Sequence, residues 1–340
     1  MSKIWRERWA IFLNVRRQSA KLSLRITRAK SMLQRLRRSG ERTVDCESAE
    51  RFRPHTHAPP ALPEGLSETD LRKIFATFSI DSAPAGHMNA YVEDAFYRFL
   101  HSWSLVRHQT GTCLELGANP YFITWLLKQH TSLEVTLSNF FGGGNSTGTQ
   151  TLSWESETTR QAMDLTFDHF NSEEDIFPYR TESFDVVLYC EIIEHLLMNP
   201  VHTLKEIRRI LKPGGLLVVT TPNVARFGNV IAIAEGRSIY DPYSGFGPYG
   251  RHNREFSMPE LLHLLEFCGF THETSFTADA HLEDWSHHPL YDNACTIGER
   301  RPHHLGQYLF AGVRATGTAR EGLPGSLFRS HPDGLIDHSW

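Results

Sequence analysis

The feature that most constrains the fold is a regular alternation that begins at Gly111. From there, short apolar runs are separated by stretches whose apolar residues recur at the three- and four-residue spacing of a helix. The runs predict strands at residues 112–116, 133–137, 164–167, 184–190, 215–221 and 307–313, and the stretches between them predict helices at 122–129, 200–211 and 258–268. Such alternation is typical of a parallel sheet with crossover helices, so the sequence predicts a doubly wound α/β fold with helices on both faces.

Composition narrows the class of protein further. Hydrophobic residues make up 40% of the chain and charged residues 22%, which is usual for a globular protein. The longest apolar runs, such as those at residues 186–190 and 230–234, fall well short of the roughly 20 residues that a transmembrane helix needs, as does the run at 216–219. The five cysteines are odd in number and form no C-x-x-C pair, which indicates reduced thiols and a cytoplasmic location.

The amino-terminal segment, residues 1–40, carries most of the positive charge. It holds twelve Lys or Arg residues and one acidic residue, so its net charge is +11 and the remainder of the chain carries −15. Its apolar residues recur at helical spacing, which predicts a basic amphipathic helix. Such a helix can lie on an anionic membrane surface, pack on another domain or subunit, touch RNA, or belong to an organellar transit peptide.

The chain is predicted to have four parts. The basic segment is followed by a proline-containing linker at residues 41–66 and by the main domain at residues 67–315, which opens with helices near 67–78 and 88–106. Residues 316–340 are rich in Gly, Pro, Ser and His, and they predict a flexible tail.

The strongest local motif is the run from Thr112 to Tyr121, in which a buried strand enters a tight turn and then a helix. Glu115 and Gly117 lie at the end of the strand. Gly117 allows the backbone to approach a ligand closely, and the helix after it begins with free N–H groups. Because ligands of doubly wound sheets bind at the carboxyl ends of the strands, we expect a nucleotide-like cofactor here.

Two further motifs occur in order along the chain. Phe177-Pro178 precedes a run from Ser183 to Val187, and that strand ends in a Glu-x-x-Glu-His pattern at residues 191–195. Downstream, Lys212-Pro213-Gly214-Gly215 introduces the next strand. Together with the first motif, they resemble the class I S-adenosylmethionine-dependent methyltransferases, in particular the type 11-like enzymes that act on small molecules or glycans. The resemblance covers about residues 110–315 and implies a mostly parallel Rossmann-like sheet whose last strand is antiparallel.

The resemblance also implies S-adenosylmethionine as cofactor and assigns residues to it. Glu115 would hold the methionine amino group, and the turn at Gly117, Asn119 and Pro120 would lie against the cofactor. Asn139 fills the ribose position and Asn171 fills the adenine position. Cys190 and Glu191 lie at the end of the fourth strand. This chain departs from the family pattern, because Asn119 and Tyr121 replace glycines and Asn139 replaces the acidic residue that usually grips the ribose.

A long connection at about residues 222–257 predicts a substrate lid. It contains several aromatic residues and a Tyr-Gly-Arg-His-Asn-Arg-Glu stretch similar to methyltransferases of bacterial glycan or secondary-product synthesis. Its tyrosines could stack on a sugar or aromatic ring, and Asp241, His252 and Arg254 could bind hydroxyl or carboxylate groups. The alternative is a rigid loop held by its own hydrogen bonds.

Methyl transfer to oxygen requires a group that accepts one proton. His195 and His252 are candidate bases because imidazole titrates near neutrality, and Asp241 is a third candidate. His195 could instead only orient the segment after the fourth strand. The histidines at 281, 287, 288, 303 and 304 follow no metal-binding spacing, so no metal site is predicted.

The sequence therefore predicts a methyltransferase for a small-molecule or glycan acceptor, with oxygen favoured over nitrogen or carbon as the methylated atom. An RNA methyltransferase is an alternative suggested by the basic segment, although the −15 remainder would repel a polyanion, so nucleic acid is not the expected partner. A second alternative is a non-catalytic scaffold of the same fold that is recruited to a membrane.

Overall fold

The computed structural model describes residues 59–81, 87–144, 146–156, 159–245, 247–281, 285, 287–291, 293, 305–331 and 335–340. The described helices are α1 (Glu68–Ala76), α2 (His87–Val106), α3 (Phe122–His130), α4 (Pro200–Ile210), α5 (Phe227–Ala234) and α6 (Met258–Phe267). The strands are β1 (Ser79–Ile80), β2 (Thr110–Leu116), β3 (Ser132–Asn139), β4 (Ser146–Ser156), β5 (Thr159–His169), β6 (Phe184–Cys190), β7 (Leu211–Pro222), β8 (Thr271–Ala278), β9 (Tyr308–Arg314), β10 (Leu323–Pro324) and β11 (Ile336–Asp337).

Nine of these strands form one sheet in the order β1-β4-β5-β3-β2-β6-β7-β9-β8. The five strands from β5 to β7 are parallel to one another, and β9 runs antiparallel to both β7 and β8. The doubly wound α/β prediction, including the antiparallel last strand, is confirmed. The strand order reverses between β2 and β6, so the carboxyl ends of these two strands border the crevice where such folds bind ligands.

The antiparallel strands at the two edges are where the structure differs most from the sequence prediction. The prediction of residues 164–167 marks only part of β5, and neither β4 nor β8 is predicted. Strand β4 buries Gln150, Leu152 and Trp154 on one face and exposes threonine and serine on the other. A strand with one wet face has no continuous apolar run, unlike a parallel strand that is covered on both faces.

Helices α1 to α3 pack on one face of the sheet, and α4 and α6 pack on the other. An aromatic cluster fills the first interface: the ring of Phe122 stacks on Phe99 at 4.7 Å and on Phe78 at 5.0 Å between centroids, while Phe75 meets it edge-on. This cluster holds α3, and therefore the turn that precedes it, firmly against the sheet.

Because Phe122 lies at the centre of this cluster and is 1% exposed, Phe122→Ala is expected to lower the free energy of unfolding by about 3–5 kcal/mol. Urea denaturation checks this value. Ile176→Ala is the control, since Ile176 is 76% exposed and its truncation should change stability little. Equal effects of the two substitutions would contradict the packing described here.

The carboxyl-terminal residues differ from the flexible tail that the sequence predicts. Leu323 is buried, β10 pairs with β11, and the Trp340 ring stacks on His263 of α6 at 4.6 Å with the Arg320 guanidinium 4.1 Å from its centre. Composition does not predict these contacts, because a few well-spaced apolar side chains are enough to anchor a polar segment to the domain. The basic segment 1–40 and the predicted linker up to residue 58 lie outside the described residues. Within the described part of the chain, no helix combines the length and apolarity needed to cross a membrane.

Candidate cofactor and acceptor site

The turn after β2 lies directly against the segment that follows β6. Gly117 has a φ of +64°, and a Cβ atom placed on it would lie 2.9 Å from Cδ1 of Ile192. Tyr121 also adopts a left-handed conformation, with φ of +72°, and the Asn119–Pro120 peptide bond is cis. The predicted turn is therefore present, and it borders the crevice between β2 and β6.

Glu115 is buried at the end of β2, on the face that carries α3. Its Oε2 accepts a hydrogen bond of 2.6 Å from the Thr124 hydroxyl. Burial raises the pKa of Glu115 to about 8, although the Thr124 hydrogen bond and the charge of Lys128 act in the opposite direction. The carboxyl group is therefore largely protonated at neutral pH, and a cation bound next to it would favour the deprotonated form.

Asn139, the residue at the ribose position, ends β3 inside a network of polar groups. Its Oδ1 accepts the N–H of Asn119 at 2.8 Å, and its Nδ2 donates to the Tyr121 hydroxyl at 3.1 Å. The Tyr121 hydroxyl donates in turn to Gln150 of β4 at 2.6 Å. Asn139 keeps one amide hydrogen and one lone pair, which is enough for two contacts with a ribose diol.

Asn171, the residue at the adenine position, follows β5 and contacts the predicted lid. Its Nδ2 donates to the Tyr249 hydroxyl at 3.0 Å, and its Oδ1 accepts the N–H of Glu173 at 3.0 Å. The carboxylate of Glu173 accepts N–H groups from residues 197–199, just before α4. Asn171 is therefore fixed in position, with one lone pair of its Oδ1 unused.

Arg98, which the sequence reasoning missed, lies among the candidate site residues. It projects from α2, is 5% exposed, and pairs with the Glu191 carboxylate at 3.1 Å while donating to the Tyr91 hydroxyl at 2.7 Å. Its Nε–H is buried and has no hydrogen-bond partner. Glu191 has a φ of +56° and also accepts a hydrogen bond from Thr220. A lone arginine among the apolar residues of a helix was the signal that could have indicated this role.

Cys190 lies next to Glu191 at the end of β6. Burial raises the pKa of its thiol to about 12, with the charges of Glu191 and Glu115 adding to the shift. The thiol is therefore protonated at physiological pH. Cys190 contributes shape and low polarity to the crevice rather than a nucleophile.

The three predicted catalytic residues lie together. The rings of His195 and His252 meet edge-on with centroids 5.0 Å apart, and Asp241 accepts the backbone N–H of His252 at 3.1 Å. His195 is in a short 3₁₀ turn after β6, and its Nδ1 donates to the Arg251 carbonyl at 2.9 Å. The His252 Nδ1 donates to Glu255 at 3.2 Å.

The electrostatic environments of the two histidines differ. Burial, followed by the charge of His252, lowers the pKa of His195 to about 4. Burial also acts against charge on His252, but the hydrogen bond to Glu255 and the charges of Glu194 and Asp241 outweigh it and raise its pKa. His195 is therefore neutral at physiological pH, whereas His252 is the more basic ring.

A cavity of about 170 Å³ opens beside these residues. It lies where β7 ends and β9 begins, and its lining includes Asp241, His252, Glu255, Arg226, Gln307 and Tyr308. Glu255 pairs with Arg226 on its far side. Acids, a base and amide groups around a small cavity suit an acceptor that carries hydroxyl groups.

The predicted lid is attached to the segment after β6 by its backbone. The N–H groups of Asn253 and Arg254 donate to the Glu194 carbonyl at 2.7 and 3.2 Å, and the Asn253 side chain donates to the His195 carbonyl. Tyr240 and Tyr243 are 84% and 92% exposed, and the Arg251 guanidinium lies 4.8 Å from the Tyr243 ring centre. Arg254 pairs with Glu260 at 3.0 Å, and it is not among the residues that line this cavity. The connection combines a fixed inner part with exposed aromatic rings.

The structure thus gathers the sequence-predicted residues into two groups. Those assigned to the cofactor lie at the carboxyl ends of β2, β3, β5 and β6, and those assigned to catalysis lie on the 3₁₀ turn and the lid. The sequence reasoning missed Arg98, Gln150 and Glu255 as members of these groups. The strand order and this ring of polar residues define a doubly wound α/β protein with a nucleotide-type ligand site.

Comparison with known proteins identifies similar methyltransferases. Residues 134–219 match the family model of the methyltransferase domain. A Mycolicibacterium smegmatis protein named "Probable S-adenosylmethionine-dependent methyltransferase" is 37% identical over 93 residues, or 27% of this chain and 31% of that protein. The ubiquinone biosynthesis O-methyltransferase of Roseobacter denitrificans is 39% identical over 107 residues, or 31% of this chain and 41% of that enzyme. The matched part of the chain is therefore similar to S-adenosylmethionine-dependent methyltransferases.

These matches cover less than half the length of the curated relatives. Among solved structures, a Burkholderia thailandensis 1,6-didemethyltoxoflavin-N1-methyltransferase with bound 1,6-didemethyltoxoflavin and S-adenosylhomocysteine aligns over 67% of this chain and 81% of its own, with 15% identity and a TM-score of 0.40.

The residues at the crevice fit S-adenosylmethionine. The buried, unpartnered Nε–H of Arg98 suits the methionine carboxylate, and the Glu115 carboxyl suits the amino group. Asn139 and Asn171 keep hydrogen-bonding capacity for ribose and adenine. Because Gly117 has no Cβ, the turn packs closely against Ile192.

Proposed function

We propose that the protein transfers the S-adenosylmethionine methyl group to a hydroxyl oxygen of a small-molecule or glycan acceptor. The observation that carries the proposal is the convergence of His195, His252 and Asp241 beside a polar cavity, at the same sheet edge as the cofactor residues. Oxygen is favoured because the cavity offers groups that bind and deprotonate hydroxyls. The O-methyltransferase name of several relatives supports the same choice.

In this proposal the cofactor supplies an electrophilic methyl group on a sulfonium, and the chain supplies alignment and proton uptake. Arg98 and Glu115 hold the methionine end, Asn139 and Asn171 hold the nucleoside, and the cavity orients the acceptor. The hydroxyl proton passes to the His195, His252 and Asp241 group as the oxygen attacks.

The exposed tyrosines of the lid favour an acceptor with a flat or sugar-like face. Tyr240 and Tyr243 flank Asp241 in sequence, and Asp241 lines the cavity. Aromatic rings next to hydrogen-bonding groups suit saccharides and hydroxylated aromatic compounds alike. In this proposal residues 222–257 act as the acceptor lid.

The direct test has two parts. Calorimetric titration with S-adenosylmethionine should show one binding site per chain. That result would exclude the alternative of a scaffold that has lost the cofactor. Incubation with methyl-labelled cofactor and separate pools of catechols, hydroxylated saccharides and RNA should then label an acceptor with hydroxyl groups. Labelling of RNA alone would overturn the choice of acceptor.

The His252 side chain is expected to matter for turnover rather than for cofactor binding. His252→Gln removes the more basic ring of the cluster, so kcat should fall by about 10²–10⁴-fold. The cofactor Kd should stay unchanged, because His252 lines the acceptor cavity. The matched control is His272→Gln at the exposed edge of β8, which should leave kcat unchanged, and a loss of similar size in both variants would contradict the assignment.

The basic segment 1–40 is proposed to bind an anionic membrane surface, on its charge and helical pattern alone. Flotation with anionic liposomes tests this partner. The full chain should float and a chain without residues 1–40 should not, whereas equal flotation of both would contradict the proposal.

A further inference from the structure

The strongest unexplained feature is a cluster made by Glu194, His195 and His252. The candidate ligand atoms of these three residues all lie within 4.8 Å of one another. Glu194 and His195 come from the 3₁₀ turn after β6, and His252 comes from the lid. The sequence predicts no metal site because this cluster forms only when two distant segments meet.

The carboxylate of Glu194 is unusual for a group buried in a protein interior. Its side chain is wholly buried, and its Oε2 accepts a hydrogen bond from Thr221 at 2.9 Å. Its Oε1 has no hydrogen-bond partner and lies 3.8 Å from Nε2 of His195. A buried carboxylate oxygen without a partner is costly, so this atom indicates that something positively charged belongs between the three side chains.

The two imidazole rings are oriented as metal ligands usually are. The Nδ1–H of His195 donates to the Arg251 carbonyl, and the Nδ1–H of His252 donates to the Glu255 carboxylate. A carbonyl or carboxylate behind one ring nitrogen fixes the tautomer, so that Nε2 can offer its lone pair. Glu255 is itself held by Arg226, which keeps this support rigid.

From these observations we infer that Glu194, His195 and His252 bind a divalent transition-metal ion of the zinc, iron, manganese or cobalt type. Two imidazole nitrogens and one carboxylate oxygen suit these ions, whereas calcium and magnesium prefer oxygen ligands alone. Ligands at about 2.0–2.2 Å from zinc lie closer to one another than the unbound cluster, so binding should draw the His252 segment toward Glu194.

The ion would occupy the edge of the acceptor cavity, because His252 lines that cavity. This part of the inference rests on the proposed methyl transfer. An acceptor hydroxyl bound to the ion would lose its proton more readily, and Asp241, the member of the proposed catalytic group that is not a metal ligand, would accept that proton. The S–CH₃ bond then breaks as the O–CH₃ bond forms, giving the methyl ether, neutral S-adenosylhomocysteine and one released proton.

Cobalt(II) titration of the full-length chain tests the site without reference to turnover. After treatment with EDTA and dialysis, the protein should bind one Co²⁺ per chain with a visible d–d absorption band, and Zn²⁺ should remove that band. Binding should also raise the melting temperature, since the ion joins the lid to the 3₁₀ turn.

Three variants and one control make the test specific. His252→Ala and Glu194→Gln should abolish the band, and Glu255→Gln should weaken Co²⁺ affinity by about 10–100-fold because it removes the support behind His252. His272→Ala changes a histidine on exposed β8 and should bind Co²⁺ as the unaltered chain does. His252→Ala keeps the test decisive if Glu194→Gln does not fold.

Absence of the band in the unaltered chain, or an unchanged band in His252→Ala, would overturn the inference. Cofactor calorimetry on the EDTA-treated protein separates this outcome from failure of the proposed function. Binding of S-adenosylmethionine without binding of Co²⁺ would remove the metal site and leave the methyltransferase proposal standing.

Discussion

Arg98→Met is expected to weaken S-adenosylmethionine binding by about 30-fold or more, because truncating one partner of a buried charge pair costs roughly 2–5 kcal/mol. The Arg98 guanidinium has an unpartnered Nε–H and lies at the sheet edge where the methionine end of the cofactor is proposed to bind. Calorimetric titration with S-adenosylmethionine measures the change in Kd.

Two comparisons make this prediction specific to the methionine carboxylate. Affinity for 5′-methylthioadenosine, which lacks the amino-acid end, should be much less affected by the substitution. Arg98→Lys keeps the positive charge next to Glu191 and should bind the cofactor better than Arg98→Met does. An unchanged Kd in a folded Arg98→Met protein would show that Arg98 does not bind the cofactor.

Glu115→Gln is expected to change how the stability of the cofactor-free protein depends on pH. The folded-state pKa of Glu115 is raised by burial to about 8 from an ordinary 4.5. The folded protein therefore binds the proton more tightly than the unfolded chain does. The stabilisation of the folded state by this tighter proton binding is fully present below pH 4.5 and is lost as the pH rises through 8. The pKa shift corresponds to a free energy of roughly 5 kcal/mol at most.

Unfolding by urea between pH 5 and pH 9 measures this effect. The unaltered protein should lose stability across that range more steeply than Glu115→Gln, and the variant should be relatively more stable at pH 9. Glu134→Gln on neighbouring β3 is the control, because its side chain is exposed and its replacement should leave the slope as it is. Equal slopes of stability against pH for Glu115→Gln and the unaltered protein would contradict the protonated state of Glu115 in the folded protein.

The parallel centre of the sheet could be predicted because its strands are covered on both faces. The run from Val186 to Tyr189 is continuously buried and apolar, and such a run is visible in a sequence without any partner. Strands β4 and β8 escape this signal because β4 alternates between a wet and a dry face, and β8 is buried only over its last three residues.

The candidate site could be predicted where its residues belong to local motifs. Glu115, Asn139 and Asn171 each follow a strand at the spacing that the family resemblance requires, and the structure places them at one edge of the sheet. Arg98 and Gln150 have no such motif. Their roles depend on partners that lie far away in sequence, such as Glu191 for Arg98 and Tyr121 for Gln150.

The candidate catalytic residues show the same limit. His195 and His252 were singled out separately for the chemistry of imidazole, and nothing in the sequence indicates that their rings lie 5.0 Å apart. The lid connects them, because its backbone hydrogen bonds to Glu194 bring His252 beside the 3₁₀ turn. Main-chain atoms make those contacts, so the pattern of side chains in the sequence does not predict them.

A crystal structure with S-adenosylhomocysteine tests the account most directly. The nucleoside should lie between Asn139 and Asn171, and the amino-acid end should reach Glu115 and Arg98, with the sulfur facing the cavity beside His252. If the network of Tyr121, Asn139 and Gln150 instead keeps this space closed and the ligand is absent or bound elsewhere, the assignment of this crevice to the cofactor is wrong.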